Sequence, residues 1–463
     1  MAATLGGQSP RLGTIAFPAA GSGEAQTAFV EGVLFLHSFE YGSAATAFRR
    51  AQVADPGLAM AYWGEAMTYN HPLWSQWDDV AARAVLQRLG ASAAERRARA
   101  PTHREQMYLD AVEALWAEGS KPVRDTAYAD AMARLVAAHP DDDEARTFYA
   151  LAILGLSGST RVVPSYMRAA ALAQEVFARQ PNHPGAAHVI IHAFDDPTHA
   201  PLGLPAARAY SQIAPDAAHA QHMTTHIFVA MGMWDDVVSQ NEVAAGLTHW
   251  GPGHYTSWLL YGQLQQGRLD VALEQLERAR RDMPAGARGG QRGYLAMMRA
   301  HYVINSERWD SPVLAWPMDL ADVGLMTRAM DVFTFGFAAE RRGDMSGARE
   351  RLTTLRGMVA DDGPERVRAL ALLLEGAIAR RAGEIETAVR LMREAAAIEE
   401  AVPAEYGPPD VVKPSHELLG EVLLDAGRYA EARGALLAGL RLAPGRRLAE
   451  RALAAATARQ ATR

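Results

Sequence analysis

A spacing of 34 residues constrains this chain more than any other feature. His188 and His192 recur as His222 and His226, each 34 positions on. The same step orders small and apolar residues elsewhere. In "AQTAFVEGVLFLHSFEYGSAATAFRRAQVADP", Gly32, Ala44, Phe48 and Ala51 precede a closing Pro56. "LLYGQLQQGRLDVALEQLERARRDMP" supplies Gly267, Ala272, Leu276, Ala279 and Pro284. "LLGEVLLDAGRYAEARGALLAGLRLAP" supplies Gly420, Gly427, Tyr429, Ala432, Leu436 and Pro444. "AAERRGDMSGARERL" and "AIARRAGEIETAVRLMREAA" add Gly343 with Ala348 and Gly383 with Ala388. Small residues let two helices approach closely, a glycine ends the first helix, and a proline fits the turn between units. Strand-like alternation is scarce, and Ala, Leu, Arg and Glu dominate, so the chain reads as helical almost throughout.

Composition narrows the function. The 463 residues are 49% hydrophobic, ample for a core. A net charge of −7 argues against general nucleic-acid or anionic-membrane binding. No apolar run approaches the ~18–20 residues of a spanning helix. The start "MAATLGGQSPRLGTIAFPAAGSG" shows no basic-then-apolar secretory signal, so the chain reads as cytoplasmic. A periplasmic or secreted placement stays open if a signal has been removed. With no cysteine there are no disulfides, thiolate metal sites or cysteine nucleophiles.

The recurring unit resembles the tetratricopeptide repeat, a helix–turn–helix of 34 residues. The resemblance implies an all-α, right-handed superhelical solenoid of helix pairs with a concave groove. Expected boundaries are an N-terminal extension over 1–24, a first array over 25–284, an irregular helical joint over 285–325, and a second array over 326–463. The joint opens on the Gly-rich "AGARGGQRG" and then loses the repeat spacing. Residues 73–102 also fit poorly.

In that frame one repeat starts at Pro184 and the next at Ala218, so His188 and His222 share position 5, and His192 and His226 share position 9. The resemblance implies that positions 2, 5, 9, 12 and 13 line the groove. His219 and His254 then stand at position 2, and His37 and His71 at position 13. An i, i+4 pair keeps both side chains on one helix face. Such a pair can place two imidazoles on one ion, and two pairs on neighbouring helices could complete a four-nitrogen site. The expected ligands are therefore His188, His192, His222 and His226. Further candidates, as ligands or pocket wall, are His37, His71, His199, His219, His254, Tyr255 and Tyr261. Asp195 and Asp196 could orient an imidazole or join the ligands. Imidazole suits copper, iron, nickel and zinc; copper or iron is favoured here, with zinc open.

The remaining candidates read as structural. Trp63, Trp74, Trp77 and Trp234 read as repeat packing, as do Glu65 and His416. His103, His139, His183, His249 and His301 have no context that assigns them. "GLSGST", "GSGEA" and "GARGGQRG" lack the lysine or the strand context of phosphate and dinucleotide motifs. The expected function is a metal-dependent enzyme, oxidative on a small molecule or peptide in the groove. The alternatives are a peptide-binding scaffold with a structural metal, and a metal-dependent hydrolase. A narrower likeness, to a bacterial group of tetratricopeptide proteins, rests on "LHSFEYGSAATAFRRAQVADPGLAMAYWGEAMTYNHPLW" and "NHPGAAHVIIHAFDDPTHAPLGLPAARAYSQIAPDAAHAQHMTTHIFVAMGMWDDVVSQN". It continues through "KPSHELLGEVLL" and implies that the histidine groove belongs to the group, without assigning an activity.

Overall fold

The structure, a computed structural model, describes residues 9–157, 160–360, 364–403 and 406–461. It is all-α apart from one two-stranded hairpin among the described residues. The chain divides into two compact units. The first is residues 1–195 with 202–224, and the second is 196–201 with 225–463. The joint expected over 285–325 lies inside the second unit.

The first unit opens with an extended segment whose Leu12 and Phe17 are buried. Phe17 sits edge-on to Phe29 at 5.1 Å and to Trp63 at 5.6 Å. Then come α1 (Gly23–His37), α2 (Tyr41–Ala54) and α3 (Ala59–Met67). The hairpin pairs β1 (Asn70–His71) with β2 (Gln76–Trp77). Next are α4 (Asp79–Leu89), α5 (Ala93–Ala98), α6 (His103–Leu115), α7 (Lys121–Ala138), α8 (Asp143–Gly155), α9 (Val163–Arg179) and α10 (Pro184–Ala193). Asp78, Ser92, Thr102 and Asp142 each accept a backbone N–H at the start of the helix they cap, satisfying donors the helix cannot. Beyond packing on its neighbours in sequence, α1 packs against α10. Two helices of one face so meet across some 150 residues of chain.

The chain continues with α11 (Ala200–Ile213) and α12 (Ala218–Ala230); the division between the units falls within α12. In the second unit, α13 (Trp234–Leu247), α14 (His254–Gln265), α15 (Leu269–Arg281) and α16 (Gly289–Ser306) precede a short 3₁₀ turn at Pro312–Ala315. The rest pairs α17 (Leu325–Arg342) with α18 (Met345–Ala360), and α19 (Glu365–Arg381) with α20 (Ile385–Ala401). α21 (Ser415–Asp425) packs on α22 (Tyr429–Leu442), and α23 (Arg447–Ala461) closes the chain. One core runs through Phe333, Phe337, Leu370, Leu374, Met392, Leu419 and Leu436. These are successive helix–turn–helix pairs. From α17 to α20 the helices lengthen to 16–18 residues, which stretches the repeat beyond 34.

The turn inside the α1–α2 pair differs from five later ones. Gly232, Gly267, Gly343, Gly383 and Gly427 all take the left-handed conformation, at φ of 69° to 84°, two residues before the second helix of the pair. That region suits glycine because it has no Cβ. Between α1 and α2 the same place is held by Phe39, at φ 53°. A bulky residue there carries strain of roughly 1–3 kcal/mol, and such strain clusters at functional sites.

Candidate metal centre

Phe39 lies on histidines. Its ring centroid is 4.2 Å from His188, 5.8 Å from His192 and 5.5 Å from His219. These three imidazoles present ligand atoms within 4.8 Å of one another. His188, buried, and His192, partly buried, stand one turn apart on α10, and His219 enters from the start of α12. Across the i, i+4 step, His188 Nε2 and His192 Nε2 are 3.1 Å apart.

The proton on His188 can be assigned. Its Nδ1 is 2.6 Å from the main-chain oxygen of His37, which can only accept, so Nδ1 carries the hydrogen. In the neutral ring Nε2 is then a lone pair aimed at His192. Fixing one nitrogen by a carbonyl and leaving the other to ligate is the usual support for a metal-bound imidazole. With metal–nitrogen bonds of ~2.0–2.1 Å, a separation of 3.1 Å subtends about 95–102° at a shared ion, between square and tetrahedral values. The main-chain N–H of His219 donates to Glu40 at 3.0 Å, which anchors the start of α12 beside the turn that holds Phe39. Trp74 stands edge-on to His219 at 5.5 Å, and Tyr41 stacks on His71 at 3.7 Å.

A second cluster lies in the same unit. Glu144 on α8 is wholly buried between His37 and His183, with Oε2 2.6 Å from His37 Nε2 and Oε1 3.1 Å from His183 Nε2. His183 is the N-cap of α10 and accepts Ala186 N–H on Nδ1, so its hydrogen is on Nε2, facing Glu144. Burial alone would raise the Glu144 carboxyl, but the two imidazoles outweigh it and hold the group well below the usual carboxylate range. Burial lowers His37 more than Glu144 raises it. The His37 ring stacks on Phe148 at 4.9 Å and reaches its place only because residue 185 is glycine: a Cβ there would meet His37 Nδ1 at 2.2 Å. Every nitrogen facing Glu144 already has its acceptor, which makes this cluster a hydrogen-bonded clasp joining α1, α8 and α10.

The other expected residues take varied places. His222 is fully buried, its ring centroid 6.2 Å from that of His219. His226 stands one turn later on α12, in the second unit, 4.5 Å from Trp258 and 6.4 Å from His254. His254 begins α14, with Tyr255 beside it at 6.1 Å. The Tyr261 hydroxyl accepts from Arg446 at 3.0 Å, in a buried network with Glu417. His71 lies on β1, its Nε2 3.0 Å from the Thr68 carbonyl. Asp196 accepts the N–H groups of Thr198 and His199, and the His199 ring at 2.7 Å, so Asp196 and His199 build the start of α11. The Asp195 side chain is buried, and its carbonyl accepts from Arg161.

Two readings change. Trp74 and Trp77 are not repeat packing; both are exposed, at 42% and 47%, because they sit on the hairpin outside the helix pairs. Sequence reasoning also left His183 unassigned and passed over Phe39. The signal for Phe39 was present: it stands where five later turns have glycine. Trp63 and Glu65 are buried as expected, Glu65 bonded to Arg49 at 2.7 Å and to Gln52 at 2.7 Å.

No family model matches the chain, and no curated protein does. Among solved structures it is similar to yeast Tom70, at 11% identity over 95% of this chain and 96% of that one, with a TM-score of 0.41. It is also similar to the human IFIT1 dimer with m7Gppp-AAAA, at 12% identity over 96% and 90%, with a TM-score of 0.40. The P58(IPK) TPR domain is similar at 12% identity over 95% and 99%, with a TM-score of 0.23. At these values nothing about ligands passes from them to this chain. Among the described residues no helix is long and apolar enough to cross a membrane.

Proposed function

We propose that this helical-repeat protein binds a transition-metal ion through His188, His192 and His219, and uses it for oxidative chemistry on a small molecule or peptide. The observation that carries the reading is the hydrogen bond from His188 Nδ1 to the His37 carbonyl, which leaves Nε2 as a lone pair 3.1 Å from His192 Nε2. An all-imidazole set favours copper or iron, with zinc as the third choice. Three protein ligands leave a position for substrate or oxygen, as catalytic sites require and closed structural sites do not.

One observation favours a second reading. The Phe39 ring covers the three imidazoles, so an ion there could serve as a structural staple of a scaffold. The deciding experiment loads purified protein with copper(II), iron(II) or zinc(II), removes loose metal, and measures retained metal beside His192→Ala. Retention by wild type and loss in the variant support the site; equal retention removes it. A chelator-induced fall in melting temperature as large as unfolding of the whole first unit would favour the staple.

A further inference from the structure

A second site lies in the second unit, apart from His188, His192 and His219, with His254 and Trp258 in its lining. A cavity of about 390 Å³ opens between α14, α16 and the loop that leads into α21. Trp258, Tyr294 and Tyr406 provide aromatic walls, and among the described residues no lysine or arginine lines it. His301 also lines it, 2% exposed, and among the described residues neither ring nitrogen has a hydrogen-bond partner. A buried polar group in that state costs free energy until something satisfies it. Burial and the nearby Arg446 push this imidazole down to about 3, so at neutral pH it is an uncharged ring with a free lone pair. Asp410 lines the same cavity, and burial raises its carboxyl more than Arg366 lowers it.

The glycine-rich start of α16 also borders the cavity, and a helix N-terminus usually favours anions. Here that role is filled. Asp322 accepts the N–H of Gly289 and pairs with Arg292. The rest of the lining is electron-rich: aromatic faces, an imidazole lone pair and a desolvated carboxylate. We propose that this cavity binds a small organic ammonium ion, held over the aromatic faces of Trp258 and Tyr406 and donating its N–H groups to Asp410 and His301. Aromatic faces attract a desolvated cation, and cavities of this size suit small molecules.

The test is titration calorimetry on full-length, chelator-treated protein at neutral pH, so that it is independent of the metal reading. The probes are benzylamine, benzyl alcohol and benzoate. Benzylamine should bind at least about tenfold more tightly than the other two, a difference of roughly 1.4 kcal/mol. Asp410→Asn should remove about tenfold of that preference, and Tyr406→Leu several-fold of the affinity. Tyr406 is 44% exposed, so its substitution leaves the fold intact even if Asp410→Asn does not. Benzoate or benzyl alcohol binding as tightly as the amine would overturn the proposal. So would amine affinity unchanged in Tyr406→Leu.

Discussion

The first unit holds two buried histidine clusters that differ in one respect. In the clasp, His37 and His183 share a carboxylate, and each nitrogen facing it has an acceptor. In the other cluster, imidazole faces imidazole, and His188 gives its proton to a main-chain carbonyl instead. A carboxylate turns two imidazoles into a closed hydrogen-bonded unit. Without it, imidazole nitrogens converge within 4.8 Å of one another, around a point that a cation could fill. Both clusters are built on imidazoles, so the identity of the third partner separates a structural element from a candidate metal centre.

That contrast can be broken most forcefully at Glu144. Removing the carboxylate leaves two buried imidazoles facing each other, so Glu144→Ala should destabilise the metal-free protein by about 3–5 kcal/mol. Chemical denaturation measures the loss, and metal retention should persist in whatever fraction remains folded. His192→Ala should do the reverse. Metal affinity should fall by about 100-fold or more, above the usual cost of losing a supporting partner, with a small change in unfolding free energy. Competition with a chromophoric chelator reads the affinity.

Gly185→Ala tests the link between the clusters. Its Cβ would collide with the His37 ring, and His37 carries the carbonyl that orients His188. A stability loss of about 1–3 kcal/mol is expected from overpacking, with metal affinity falling roughly tenfold as the supporting bond loosens. Metal affinity unchanged in a variant that has lost stability would show that the two clusters are independent.

Acid should separate them too. Imidazoles must be neutral to ligate, and their ordinary pKa is about 6.5, so metal should leave as pH falls below about 6. Glu144 has a depressed carboxyl, so the stability it contributes is complete above the ordinary value of 4.5 and is lost only as pH falls toward its lowered one. Metal retained at pH 4.5, measured by elemental analysis, would refute the imidazole ligand set. The smallest effect belongs to Trp74→Ala. This half-exposed ring should change stability by no more than about 0.5 kcal/mol, and a larger change by thermal melting would place Trp74 in the packing after all.

Much of this was legible from residues. The 34-residue step identified helix pairs, and four-residue steps put His188 beside His192. His219 was reachable from its place at position 2 of the same repeat. The clasp was not legible, because Glu144 and His183 carry no periodic signal and meet His37 only through the packing of α1 on α10. That contact depends on how the whole first unit curves, which local patterning does not encode. Trp74 was misread because the hairpin that carries it interrupts the repeat, and a frame counted in helices has no position for it. Phe39 shows that the exception to a repeat can be more informative than the rule.

The extended N-terminal segment has a consequence for how the chain is made. Arg11 bonds Asp216, 205 residues ahead, and the Thr14 N–H donates to Asn182 at 3.0 Å. Repeat arrays ordinarily propagate from neighbour to neighbour, with low contact order and quick, local assembly. Here Arg11 and Thr14 must wait for partners well over a hundred positions later in the chain. At a synthesis rate of roughly 5–20 residues per second, Arg11 precedes its partner Asp216 by about ten seconds or more. The first unit is therefore closed by contacts that no neighbour-to-neighbour stacking supplies, and it cannot be complete before Asp216 is made.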